Sequence, residues 1–167
     1  MTEATQRPYF DLLPSFDALR RRDLGDAPWW DDDSVYDLGS RGVRRGRTEI
    51  RGYFDEMLCA FPDFDIEIRR VVTEGSSRAV QWEAVGTFTG GPFQGVSPTG
   101  TRVTFHGLDL IEFDGPVIRS CWEYSDPLSF ARQVGLVPAD NSAADAMLRG
   151  AFNVRTRLGG VLRRPGR

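Results

Sequence analysis

Few residues of this chain have side chains and surroundings suited to chemistry. Asp126 follows an alternating apolar stretch and directly precedes Pro127; Leu128, Ala131 and Val134 come next, with Gly135 beyond. An aspartate before a proline can cap a helix, a contribution of about 1 kcal/mol. A carboxyl group set in an apolar pocket can instead act as a general acid or base, which requires a raised pKa. The two roles pull in opposite directions, because capping N–H groups favour the anion. His106 is the sole histidine and shares alternate positions with Leu108 and Leu110. That pattern points its ring inward, where an imidazole could polarise a carbonyl or shuttle a proton near neutral pH.

The missing residue types narrow the chemistry further. All 21 basic residues are arginine, and there is no lysine. Schiff-base and pyridoxal-phosphate mechanisms, and a phosphate loop with its lysine, are therefore excluded. One histidine and two separated cysteines, Cys59 and Cys121, do not make a zinc or iron site. The run Asp31-Asp32-Asp33 lacks the further spacing of a metal loop and reads as solvated. No GxGxxG follows a strand. The expected reaction uses no cofactor and no metal.

Aromatic residues are the other candidates for a site. Trp82, Phe88, Trp122 and Tyr124 fall on strand faces read as concave. There they either fill the core or stack on a flat aromatic metabolite. Trp30, Tyr36 and Tyr53 are expected to close such a pocket from the helix side.

These residues must be positioned by a single domain, given 167 residues with 40% hydrophobic and 27% charged side chains. A helix is expected near Pro14 to Leu24 with Ser15 at its cap. A second carries the stripe Ile50, Tyr53, Phe54, Met57, Leu58 and Phe61, with Thr48 as cap and Pro62 as stop. A short extended piece, 34–38, and a Gly/Arg-rich loop, 41–47, separate them. After Pro62 the period falls to two. Strands are expected over 64–72, 79–89, 102–113 and 117–124, with a long Gly/Pro-rich hairpin at 90–100. In the last strand Ile118, Ser120, Trp122 and Tyr124 are read as one face. Helices on one side of a curved antiparallel sheet make an α+β fold with a pocket between the concave face and the helices. Residues 1–138 form the domain and 139–167 an Arg-rich tail, weakly amphipathic through Met147, Leu148, Ala151 and Phe152.

Net charge is −7 over residues 1–138 and +4 over the tail. An acidic body argues against nucleic acid as a partner. No apolar run approaches the roughly 20 residues of a membrane helix, and Met1–Pro8 lacks the pattern of a signal peptide. The expected location is the cytoplasm, with free thiols.

Several motifs fall in a familiar order: Gly46-Arg47-Thr48-Glu49-Ile50 at a helix entry, then Phe61-Pro62-Asp63-Phe64. Gly86-Thr87-Phe88-Thr89-Gly90, Phe93-x-Gly95 and Pro98-Thr99-Gly100 follow along the long hairpin. Trp122-x-x-x-Asp126 and Gln133-Val134-Gly135 close the series. In this order, from about Phe16 to Pro138, the chain resembles the SnoaL-like polyketide cyclases of the nuclear-transport-factor-two-like superfamily. Phe88 stands where that family often has a histidine, and Ser120 near a common acidic position. The resemblance implies cofactor-free acid/base ring closure of a polyketide, of aldol type, with Asp126 as the acid/base group. It also implies a homodimer built on the outer sheet face. His106 would assist, and the ligand would be a small hydrophobic or aromatic metabolite. Two alternatives remain open: an epoxide-opening cyclase or hydrolase on the same scaffold, and a ligand-binding module without catalysis.

Overall fold

The period-two stretch builds a four-strand antiparallel meander. In the computed structural model, which describes residues 13–162 (side chains to 157), its strands are β3 (Asp65–Glu74), β4 (Ser77–Thr87), β5 (Arg102–Asp114) and β6 (Val117–Ser125). The leader reading at Met1–Pro8 and the arginines at 163, 164 and 167 lie outside the described residues. Two short strands extend the sheet, β1 (Val35–Asp37) and β2 (Val43–Arg45), joined through a 3₁₀ turn at Gly39–Arg41. The order is β2-β1-β6-β5-β4-β3. β1 runs parallel to β6, so the sheet is mixed and not wholly antiparallel. The Gly/Arg-rich stretch is thus an edge strand and not only a loop.

Two helices cover the inner face of this curved sheet. α1 (Pro14–Arg21) buries Phe16, Ala18 and Leu19, and α2 (Gly46–Ala60) buries Ile50, Tyr53, Phe54, Met57 and Leu58. Neither expected cap is used. Ser15 is buried inside α1 and Thr48 lies in the first turn of α2. α2 starts instead at Gly46, whose φ of +72° and close approach to the Asp32 carbonyl suit a glycine. Glu49 accepts the Arg45 N–H at 2.8 Å. At the other end Arg22 donates to the carbonyls of Phe61 and Leu58 at 2.7 and 2.8 Å. Those carbonyls lie at the helix terminus, where intrahelical partners run out, so one side chain both caps α2 and ties α1 to it.

β6 contains the irregularity that decides the site. Glu112 pairs with Ser120 but Phe113 pairs with Ile118, so Arg119 is an extra residue in a bulge. A bulge reverses side-chain parity. Ile118 faces inward before it; Cys121 and Glu123 face inward after it. Trp122 and Tyr124 are therefore on the outer face, which corrects the reading of Ile118 through Tyr124 as one face.

α3 (Pro127–Gln133) packs its Phe130 ring against Phe88, Phe93 and Phe105. Gln133 makes a two-bond clasp with the Thr104 backbone, accepting from its N–H at 2.8 Å and donating to its carbonyl at 2.9 Å. β6 does not pair with β5 there, so the clasp satisfies backbone groups that would otherwise be bare. Most of the Arg-rich tail is a helix, α4 (Ala143–Leu162). Its buried Asp145 pairs with Arg149 at 2.9 Å and with Arg132 of α3 at 3.8 Å. Among the described residues no helix is long and apolar enough to cross a membrane.

Candidate active site

Between α1, α2 and the inner sheet face lies a cavity of about 250 Å³. Phe16, Leu19, Trp30, Phe54, Met57 and Ile66 are among its apolar walls, and Asp109, Glu123, Arg41, Tyr36, Tyr53 and Ser125 supply its polar groups. Such a site, mostly apolar with a few convergent polar atoms, is the usual form of a small-molecule pocket.

Asp109 sits mid-β5 on the inward parity of Val103 and Ile111, and Glu123 is its register partner on β6. Both carboxyls are buried. The Trp82 indole donates to Asp109 Oδ1 at 2.8 Å, and the buried Cys121 thiol neighbours the same carboxyl. The Tyr36 hydroxyl lies 2.9 Å from Glu123 Oε2 and 3.4 Å from Asp109 Oδ2, bridging the two acids. Glu123 Oε1 is held by the Arg41 guanidinium and by Ser125 Oγ, the latter at 2.8 Å. Arg41 also donates to Tyr53 Oη at 3.0 Å and to Ser125 Oγ at 2.7 Å.

Burial, and then the neighbouring Glu123 charge, push the Asp109 carboxyl up to about 8. A carboxyl group in that range carries its proton at neutral pH. Burial and the two nearby acids hold the Tyr36 phenol well above its ordinary value, and burial with Asp109 does the same to the Cys121 thiol. Both stay protonated, and so remain donors. The cluster thus holds a neutral acid, an ion-paired carboxylate and a phenol between them.

Four of the expected pocket residues line this cavity: Trp30, Tyr36, Tyr53 and Trp82. Three do not. Phe88 is fully buried in a cluster with Phe61, at 5.1 Å between ring centroids, and Phe130, at 6.0 Å. It fills core. Trp122 is 37% and Tyr124 63% exposed on the outer face, placed there by the Arg119 bulge.

The two expected acid/base residues, His106 and Asp126, lie at the edge of this cavity. His106 borders the cavity along β5, but its side chain is 69% exposed and its Nδ1 lies 3.6 Å from Glu83. It shares the outer face with Leu108 and Leu110, as read; what misled is that this apolar face is the outer one, where Leu108 pairs with Tyr124 and Leu110 with Trp122. Asp126 is exposed at the cavity mouth and caps α3, with Oδ1 accepting the N–H groups of Leu128 and Ser129, each at 3.0 Å. Asp31 serves its own turn and Arg119, accepting from Ser34 Oγ at 3.1 Å, the Asp33 N–H at 3.0 Å and Arg119 at 3.2 Å. Among the described residues, no group of three or more His, Cys, Asp or Glu side chains is arranged to hold a metal ion.

Sequence reasoning missed Asp109, Glu123, Arg41, Ser125 and Cys121. One signal for Asp109 was present: it is the lone acid on the face carrying Val103, Phe105 and Ile111. Glu123 had none, because its direction depends on the bulge. Arg41 lies in a turn whose placement depends on the β1–β6 pairing.

With this geometry, comparison with known proteins is informative. The chain is similar to AclR, a candidate hydroxylase from Streptomyces galilaeus, at 22% identity and a TM-score of 0.66 over 92% of this chain and 95% of that one. It is similar to IdmH, a candidate polyketide cyclase from Streptomyces antibioticus, at 25% identity and a TM-score of 0.63 over 77% and 98%. A SnoaL-like protein from Jannaschia sp. CCS1 aligns at 20% identity and a TM-score of 0.68 over 80% and 94%. A search of curated proteins found no match. The family model for SnoaL-like polyketide cyclases matches residues 15–134, so this chain belongs to the SnoaL-like polyketide cyclase family.

Proposed function

We propose that this protein closes a ring in a polyketide-type substrate by aldol chemistry, with Glu123 as base and Asp109 as acid. The observation that carries the proposal is the Tyr36 hydroxyl lying between two buried carboxyls, one ion-paired and one raised. A carboxyl raised by its surroundings beside one held in an ion pair supplies an acid and a base in one site.

Glu123 takes a proton from the carbon activated by neighbouring carbonyls. The carbanion attacks a second carbonyl carbon, forming the new C–C bond. The displaced π pair goes to that carbonyl's oxygen, which takes the proton of Asp109. Tyr36 then returns the proton, giving its own to Asp109 and receiving that of Glu123. The reaction is an isomerisation with no net loss or gain of atoms. The apolar walls hold the chain folded so that its ends meet, and proximity of that kind can supply several kcal/mol of the barrier, on the order of 7 or more when orientation is good. Asp126, at the mouth, serves the scaffold in this account.

The reading also includes a homodimer. Leu108, Trp122 and Tyr124 form an exposed apolar band on the outer face, of a kind that marks interaction surfaces.

The test is ring closure of an aryl 1,5-diketone, 1-phenylheptane-2,6-dione, followed by the absorbance of the enone that forms on loss of water. Glu123→Gln and Asp109→Asn should each lower the rate by about a hundredfold or more, while Asp126→Asn stays within about threefold. Full activity in Asp109→Asn with loss in Asp126→Asn would overturn the assignment.

A further inference from the structure

α4 is tied to the body at its first turn. Asp145 accepts the Asn141 N–H at 3.1 Å and reaches Arg132 of α3, which also pairs with Asp140 at 3.3 Å. From Ala146 to Arg157 every residue is exposed. Met147 and Phe152 are 76% and 66% exposed, and Leu148 and Val154 are open as well. An amphipathic helix gains most of its stability by burying its apolar face. Gly150 inside α4 costs about 1 kcal/mol relative to alanine, so intrinsic propensity does not replace that burial.

The exposed residues are sorted by kind around the helix. At about 3.6 residues per turn, Met147, Leu148, Ala151, Phe152 and Val154 fall within one half of the circumference. Arg149 and Arg157 fall on the other half, with Asn153 and Thr156. Arg155 is the one charge within the apolar half, where a long side chain can carry its guanidinium out to the flank. After Asp145 the sequence has no acid and six arginines, at 149, 155, 157, 163, 164 and 167. The face is thus half apolar and half cationic, the pattern of a helix that lies on a membrane surface.

A second copy of this chain matches that face poorly. Two α4 helices side by side would set arginine against arginine. On the outer sheet face, Glu67 and Glu83 are already paired with Arg69, at 2.6 and 3.3 Å. Nucleic acid offers phosphates but nothing for the apolar half. We propose that α4 docks flat on an anionic phospholipid bilayer, its apolar half at the acyl boundary and its arginines on the lipid phosphates. The helix rests on the bilayer and does not cross it. Arg132 joins α4 to α3, and Asp126, Pro127 and Ser129 at the start of α3 border the cavity. The docked helix is therefore tied to the element at the cavity mouth. The proposal does not depend on the reaction carried out inside.

Flotation of the full chain with vesicles tests it, using phosphatidylcholine alone and phosphatidylcholine with about one-third phosphatidylglycerol. The native protein should bind the anionic vesicles at least about tenfold more tightly than the neutral ones, and lose binding as salt rises. Arg155→Gln and Arg157→Gln should each weaken binding about fivefold. Phe152→Ser should weaken it about tenfold or more, while Phe152→Leu stays within about threefold of native. All four side chains are exposed, so the melting temperature should not move. No flotation with anionic vesicles, equal binding to neutral ones, or full binding by Phe152→Ser would overturn the proposal. Failure of the native protein to float, with a dimer that dissociates in Phe152→Ser by light scattering, would give the face to a second copy instead.

Discussion

Asp109 and Glu123 are register partners on adjacent antiparallel strands, both buried and both facing one cavity. Like charges directly opposite on a sheet destabilise it. Here the conflict is relieved by the raised Asp109 carboxyl, which keeps one of the two neutral, and by the Arg41 guanidinium on the other. An arrangement that costs stability at a cavity wall is characteristic of a functional site.

Stability should depend on this pair in a definite direction. The folded Asp109 carboxyl, at about 8, lies above its ordinary value of 3.8. The folded state therefore holds an extra proton between those values. Its stabilising contribution is fully present at the low end and is lost as pH rises through the folded value. Between about pH 5.5 and about pH 8.5, the melting temperature of the native protein should fall relative to that of Asp109→Asn. Ring closure should lose activity on the alkaline side over the same rise, because the proton donor is titrated away. Parallel melting curves for the two proteins across that range would contradict the assignment of Asp109 as the neutral acid.

Tyr36→Phe removes the bridge and keeps the ring packed on Phe54. We expect kcat to fall about tenfold or more with KM nearly unchanged, since the loss is in proton return and not in binding. The Tyr36 hydrogen bond also favours the Asp109 anion, so the alkaline limb of the pH–rate profile should move to higher pH. An unchanged kcat would remove Tyr36 from the proton path.

Asp126→Ala tests the cap at the cavity mouth. Losing the two bonds from Leu128 and Ser129 should cost about 1 kcal/mol, a fall in melting temperature of roughly 2–4 °C for a chain of this size. The rate of ring closure should change little. A loss of about a hundredfold at an unchanged melting temperature would return the acid/base role to Asp126.

Gly107 lets the Trp82 indole pass flat over β5 to reach Asp109. A Cβ there would stand 2.2 Å from Trp82 Cζ2 and 2.5 Å from its Cε2. Gly107→Ala must displace the indole and break the 2.8 Å bond to Asp109. That bond favours the anion, so its loss should raise the Asp109 titration further while destabilising the fold by about 1–3 kcal/mol. Chemical denaturation together with the pH–rate profile would report both effects.

Local rules were enough for most of the architecture. Periodicity marked α2 and the four long strands, because half-buried elements write their buried face into the sequence at 3.6 or 2 residues. Trp30, Tyr36, Tyr53 and Trp82 were read as aromatic candidates for a pocket and all four line the cavity, and the ordered motifs from Gly46 to Gly135 carried the family. The helix capped by Asp126 was legible too, since an aspartate before a proline acts on its own next turn.

Tertiary structure decided which carboxyls face the cavity. The Arg119 bulge inverts the parity of β6, so Glu123 turns in while Trp122 and Tyr124 turn out. The outer sheet face carries an apolar band of its own, so hydrophobicity beside His106 did not tell inside from outside. Arg41 reaches Glu123, distant in sequence, because β1 pairs parallel to β6. The unusual state of Asp109 exists only when burial, Trp82, Tyr36 and Glu123 are assembled around it. Periodicity describes a residue's local face; a pKa and a proton path depend on neighbours brought together from distant segments, and only the folded chain supplies them.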